Sequence, residues 1–129
     1  MRQEIMLPDG GEPISHYTDA VRFGDLLFIS GIAPLDRNNA VVAPGDVVGQ
    51  AEFVLETMGR ILKQAGGSFA DVLRVTVYLI NVEDRTKINP IRQRMFGSTR
   101  PASTLVEVSA LAIPGMLVEI EAVAGIKAA

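Results

Sequence analysis

Val72-Leu73-Arg74-Val75-Thr76-Val77-Tyr78-Leu79-Ile80 is the most strand-committed stretch of this 129-residue chain. β-Branched and aromatic side chains dominate it, and these fit a pleated surface better than a helix. Its apolar run is nearly continuous, the pattern of a central strand buried on both faces. Upstream, Val47, Ala51, Val54, Leu55, Met58 and Leu62 recur at helical spacing, with Glu52, Glu56, Arg60 and Lys63 opposite them. Asp46 stands where an N-cap belongs, and Gly66-Gly67 closes the helix. Further upstream, Ala20–Phe23 and Leu26–Ser30 flank Gly24-Asp25, which predicts a hairpin with a two-residue turn. Between hairpin and helix, Ala33 to Gly45 is rich in Pro, Asn and Gly and reads as a loop, with a short strand at Ala40–Val42.

Downstream, Glu83 to Phe96 predicts a second helix that must tolerate Pro90 and stops at Gly97. Two further strands are expected at Thr104–Ser109 and Leu117–Ala124, joined by a loop that holds Pro114-Gly115. The order hairpin, helix, strand, helix, strand, strand predicts a single α+β domain over residues 1–129: one mixed sheet with two helices packed on one face. The other face would be bare. Apolar side chains on both sides of the strands imply that this second face meets neighbouring copies.

Composition narrows the chemistry. The net charge is −3, aromatics make up 5% of the chain and Trp is absent, so neither the basic footprint nor the stacking platform of a nucleic-acid binder is present. No Cys means no disulfide and no thiolate nucleophile, and a single His leaves a metal to scattered carboxylates, so neither a metal nor a cofactor is expected. The first ten residues are polar, and no apolar run approaches membrane-spanning length, which predicts a cytoplasmic protein without a membrane partner.

Few residues are candidates for chemistry. Glu119 and Glu121 alternate inside an apolar strand and share one face, where an unpaired carboxylate is costly. Ser30-Gly31 ends a strand with a hydroxyl and an unhindered N–H. Tyr17 and His16 precede the first strand, Asn89 sits just before Pro90, and Arg92, Arg94 and Arg100 surround the end of the second helix.

Their order is more telling than any one of them. Ser15-His16-Tyr17-Thr18-Asp19-Ala20-Val21 followed by Gly24 to Gly31, Gln50, the run Ala65 to Leu79, Asn89, Phe96, Pro101-Ala102, Val106-Glu107-Val108 and Val118 to Ala122 resembles the Rid family, also called YjgF or L-PSP proteins. The resemblance spans about residues 13 to 126. It implies a chorismate-mutase-like fold, a homotrimer with a central barrel built from three sheets, and small-molecule pockets in the clefts between subunits. It also implies hydrolysis of imines and enamines such as 2-aminoacrylate. Glu119 matches the family glutamate near the attacking water, Tyr17 the pocket tyrosine, Ser30 and Gly31 the strand-end pair, and Asn89 the pocket asparagine.

The departure lies at the carboxylate anchor. Relatives with this activity read Pro-Ala-Arg-Ser where this chain reads Pro101-Ala102-Ser103-Thr104. A serine hydroxyl supplies no charged fork, and losing such a pair costs roughly 2–5 kcal/mol of binding. Arg92, one turn beyond Asn89, is the first replacement anchor, with Arg100 and Arg94 behind it; Ser103 and Thr104 stay as binding residues. The expectation is a Rid-type hydrolase of a small imine, enamine or related C–N compound other than the usual 2-aminoacrylate. The alternative is a trimeric protein of the same fold that binds a metabolite without turnover. A ribonuclease reading is weaker, because acid–base cleavage of RNA relies on His or Lys near the phosphate.

Overall fold

Eight main elements follow the chain: β1 (Arg2–Ile5), β2 (Ala20–Phe23), β3 (Leu26–Ile32), α1 (Val47–Gln64), β4 (Val72–Leu79), α2 (Arg85–Phe96), β5 (Ala102–Glu107) and β6 (Val118–Gly125). They were obtained as a computed structural model that describes residues 1–128. The strands form one six-stranded sheet in the order β1-β2-β3-β6-β4-β5. Only β4 and β5 run parallel, connected by the α2 crossover, so the sheet is mixed. The last strand, β6, threads between β3 and β4 and pairs antiparallel with both.

β4 corrects one expectation. Val72, Val75, Val77 and Leu79 are buried, while Leu73 and Arg74 are exposed and Thr76 and Tyr78 half-buried. The strand is interior to the sheet, but a single copy covers only one of its faces, because both helices feed one core. Apolar residues point outward as well, which is why the run looks continuous.

Two register shifts against β6 explain apolar spacings that break the alternation. Val72 and Val75 both face the core although three apart, since pairing with β6 shifts between Val72 and Arg74. Ile29 and Ile32 do the same across a bulge that leaves Ser30 and Gly31 together opposite Glu121.

α1 buries Val47, Gln50, Ala51, Val54, Leu55, Met58, Ile61 and Leu62. Its end is a Schellman closure: Gly66 takes φ of +91°, and Gly67 N–H donates to the Leu62 carbonyl at 2.8 Å. Asp46 occupies the N-cap position but makes no side-chain capping bond. The hairpin forms as expected, with Gly24 at φ +62° in its turn. α2 begins at Arg85, after a 3-10 turn at Val82–Asp84, and runs through Pro90 to Gly97. The strand expected at Ala40–Val42 is a single bridge between Leu35 and Val41. β1 was not expected. It pairs with β2 along the outer edge of the sheet. Among the described residues no helix is long and apolar enough to cross a membrane.

Candidate active site

β6 places Glu119 and Glu121 on the helix-free face of the sheet, opposite Tyr78 and Thr76 of β4. Tyr78 Oη donates to Glu121 Oε1 at 3.0 Å. Glu119 accepts no hydrogen bond from the described residues, and it is half-buried. Burial, then the neighbouring charge of Glu121, push its carboxyl above the ordinary glutamic acid range. Tyr78 is also raised, by burial first, then by its bond to Glu121 and the charges of Glu121 and Glu119.

The bulge in β3 brings Gly31 against this carboxylate. A Cβ at position 31 would overlap the Glu119 side chain, so glycine here is a requirement of close approach. Ser30 turns its hydroxyl to the Thr18 carbonyl at 2.6 Å, and its N–H donates to the Asp19 carbonyl at 3.0 Å. Ser30 thus fastens the segment that carries Tyr17 to the end of β3, and its oxygen keeps acceptor capacity. Tyr17, Ser30 and Gly31 line a cleft of about 340 Å³ floored by Phe53 and Ile61 and covered by the 7–13 segment. That segment is held by Asp9 on Arg60, Gln64 on the Met6 carbonyl (2.7 Å) and Asp19 on the Leu7 N–H (2.8 Å). His16 is exposed.

Asn89 and Arg92 belong to a different cleft from Tyr17. Arg85, Thr86, Asn89, Pro90, Arg92 and Leu105 line a second cleft of about 440 Å³ between α2 and β5. Arg92 Nη2 donates to Ser103 Oγ at 2.8 Å, so the arginine stands beside the serine that interrupts the family pattern. Burial pulls the Arg92 guanidinium below its ordinary value without removing its charge near neutral pH. Of the other arginines, Arg94 pairs with Glu52 of α1 at 3.0 Å, and Arg100 lies exposed between α2 and β5. Thr104 points to the other side of β5 from Ser103, where it accepts from Arg74 at 3.0 Å. Strand alternation therefore separates the two neighbours that the sequence groups together.

Two residues of interest escaped the sequence reading. Tyr78 follows Thr76 with strand periodicity and so shares the face of Glu119 and Glu121. Arg85 precedes Asn89 by four and Arg92 by seven, one stripe of α2. Among the described residues, no cluster of three His, Asp or Glu side chains has a metal-binding arrangement.

An α2-crossed mixed sheet with a half-buried glutamate at a strand bulge and an arginine beside the β5 serine defines a two-cleft α+β domain of mixed-sheet topology. Residues 9–126 match the family model described as Endoribonuclease L-PSP. The chain belongs to this family, the Rid or YjgF proteins. It is 41% identical to 3-aminoacrylate deaminase RutC of Acinetobacter baylyi over 96% of this chain and 98% of that protein. It is 36% identical to 2-iminobutanoate/2-iminopropanoate deaminase of Mus musculus over 96% of this chain and 91% of that one. A conserved Rid-family protein of unknown function from Yersinia pestis superposes with a TM-score of 0.89 at 31% identity, covering 98% of this chain and all of that one (100%).

Proposed function

We propose that this protein is a Rid-type deaminase that hydrolyses a small anionic imine or enamine, in a site assembled between two copies of a trimer. The observation that carries the reading is Glu119: a half-buried carboxylate with no hydrogen-bond partner among the described residues, set against Gly31, which lines the Tyr17 cleft. Relatives named as imine and aminoacrylate deaminases support the reaction class.

The chemical demands are small. Water must reach the C–N carbon, a carboxylate must take a proton from that water and return it to nitrogen, and a cation must hold the substrate's acid group. Glu119 performs the proton transfers, its raised pKa bringing it nearer to the working pH. Gly31 offers close backbone approach and Tyr17 a wall of the cleft, while Ser30 fixes the Tyr17 segment. Arg92 replaces the missing strand arginine: Ser103 Oγ steadies one of its N–H groups and leaves the others for a carboxylate. Asn89 lies one turn before it and presents an amide to the same cleft.

Tyr17, Ser30, Gly31 and Glu119 lie in one region of the protomer, and Asn89, Arg92 and Ser103 in another. A site that uses both sets draws them from adjacent copies. The exposed apolar residues of the helix-free face supply the surface for that association.

Imines generated in situ from amino acids by an oxidase, followed by ammonia release, test the reading. Wild type accelerates release over buffer. Glu119→Gln abolishes the acceleration with the fold intact, and Arg92→Gln raises KM by about tenfold or more, as expected for loss of one charged anchor. No acceleration by wild type across mono- and dicarboxylic imines and enamines overturns it.

A further inference from the structure

The cleft between α2 and β5 holds one more cation than a monocarboxylate needs. Arg85, Asn89 and Arg92 are spaced by four and then three residues, which puts them on a single stripe of α2. All three line the cleft, with Pro90 and Leu105 as its apolar part. Seven residues of helix separate Arg85 from Arg92, a rise of roughly 10 Å, so the two long side chains can approach opposite ends of one short ligand. Among the described residues no carboxylate lines this cleft, although the chain carries net charge −3.

Neither guanidinium enters an ion pair among the described residues. Of the nearby acids, Asp84 pairs with Lys87 at 3.4 Å and Glu107 accepts the Val82 N–H at 2.9 Å, while Glu83 is exposed and pairs with neither arginine. Arg85 Nη1 donates to the Val82 carbonyl at 3.3 Å, and Arg92 Nη2 to Ser103 Oγ at 2.8 Å. Each single bond orients a guanidinium and leaves its remaining N–H groups unused. Two oriented, unpaired guanidiniums in one cleft match a ligand with two anionic groups.

We propose that the substrate is a short dicarboxylate carrying the imine or enamine. Arg92 holds the acid group next to the reacting carbon and Arg85 the distal one. Water adds to the C–N carbon, the C–N bond breaks, nitrogen leaves as ammonia, and the product is an oxo diacid; no oxidant or reductant is needed. The inference rests on the reading of Arg92 as an anchor, and it is tested by binding alone.

Isothermal titration of the intact protein with glutarate and succinate, against butyrate and propionate, separates the cases. Diacids bind roughly tenfold or more tightly than monoacids of equal length in the wild type, the advantage shrinking with added salt. Arg85→Gln brings that ratio to about one, and Arg85→Lys, which keeps the charge, retains part of it. Equal affinities in the wild type, or a ratio unchanged in Arg85→Gln, overturn the inference. Such a result leaves imine turnover through Glu119 untouched, whereas loss of turnover with the ratio preserved would sink the hydrolysis and not the diacid preference.

Discussion

Glu119 is an acid that the fold holds in a place unfavourable to its charge. Its folded pKa lies above the ordinary value, so folding takes up a proton. The group's contribution to stability is therefore greatest below the unfolded carboxyl pKa and declines as pH rises through the folded one. That cost is what the proton-transfer role proposed for Glu119 leads one to expect. Burial is the larger cause and Glu121 the second, and only the second can be removed by an isosteric change. If carboxylate Glu119 takes the proton from water, kcat/KM falls as pH drops through its pKa. Glu121→Gln removes the like charge while Tyr78 keeps an oxygen to bond, so the acid limb of the pH profile moves to lower pH. An acid limb that stays in place in Glu121→Gln would show that Glu121 is not felt at Glu119.

At the scale of elements, Gln50 decides where β6 begins. It is fully buried in α1, donates to the Gly115 carbonyl at 3.0 Å and accepts the Leu117 N–H at 2.8 Å, two residues before Glu119. Gln50→Leu strands a backbone donor and a backbone acceptor, with an expected loss of about 2–4 kcal/mol in urea unfolding at fixed protein concentration. A Gln50→Leu protein as stable as wild type would mean that the loop finds other partners. α1 and the hairpin were legible in the sequence because apolar spacing and the glycines at their ends state them directly. β1 was not: Arg2-Gln3-Glu4-Ile5 offers one buried residue, and its pairing with β2 is made by backbone. The start of α2 was misplaced by two residues because Val82–Asp84 forms a 3-10 turn, with Asn81 accepting the Glu83 N–H. Glu119 was legible as an acid inside an apolar strand. Arg85 was not, since a lysine-like surface role and a cleft role look alike until α2 and β5 are brought together. Ser103 and Thr104 were grouped, and alternation sends them to opposite faces.

At the scale of the molecule, the helix-free face exposes Phe28, Leu73 and Leu26, 47%, 53% and 42% accessible in a single copy. Large side chains in such number are poorly suited to water, and they surround the strands that carry Glu119 and Tyr78. In the trimer proposed above, a closed ring of copies covers them and brings the α2–β5 cleft of one against the Tyr17 cleft of the next, a head-to-tail contact that closes by rotation. The mass expected in solution is three times the 13.8 kDa protomer. Such a ring allows two impaired variants to repair each other, read as kcat/KM at substrate concentrations well below KM. Glu119→Gln keeps Arg92, and Arg92→Gln keeps Glu119, so one intact site forms wherever the proper copies adjoin. Random mixing of equal amounts after unfolding and refolding together restores about a quarter of wild-type sites, because each cyclic contact needs one given variant on each side. Mixing without subunit exchange restores none. Activity that returns in the refolded mixture locates the two halves on different copies. A refolded mixture of trimeric mass that stays inactive would place Glu119 and Arg92 in the same copy's site, or outside a shared site altogether.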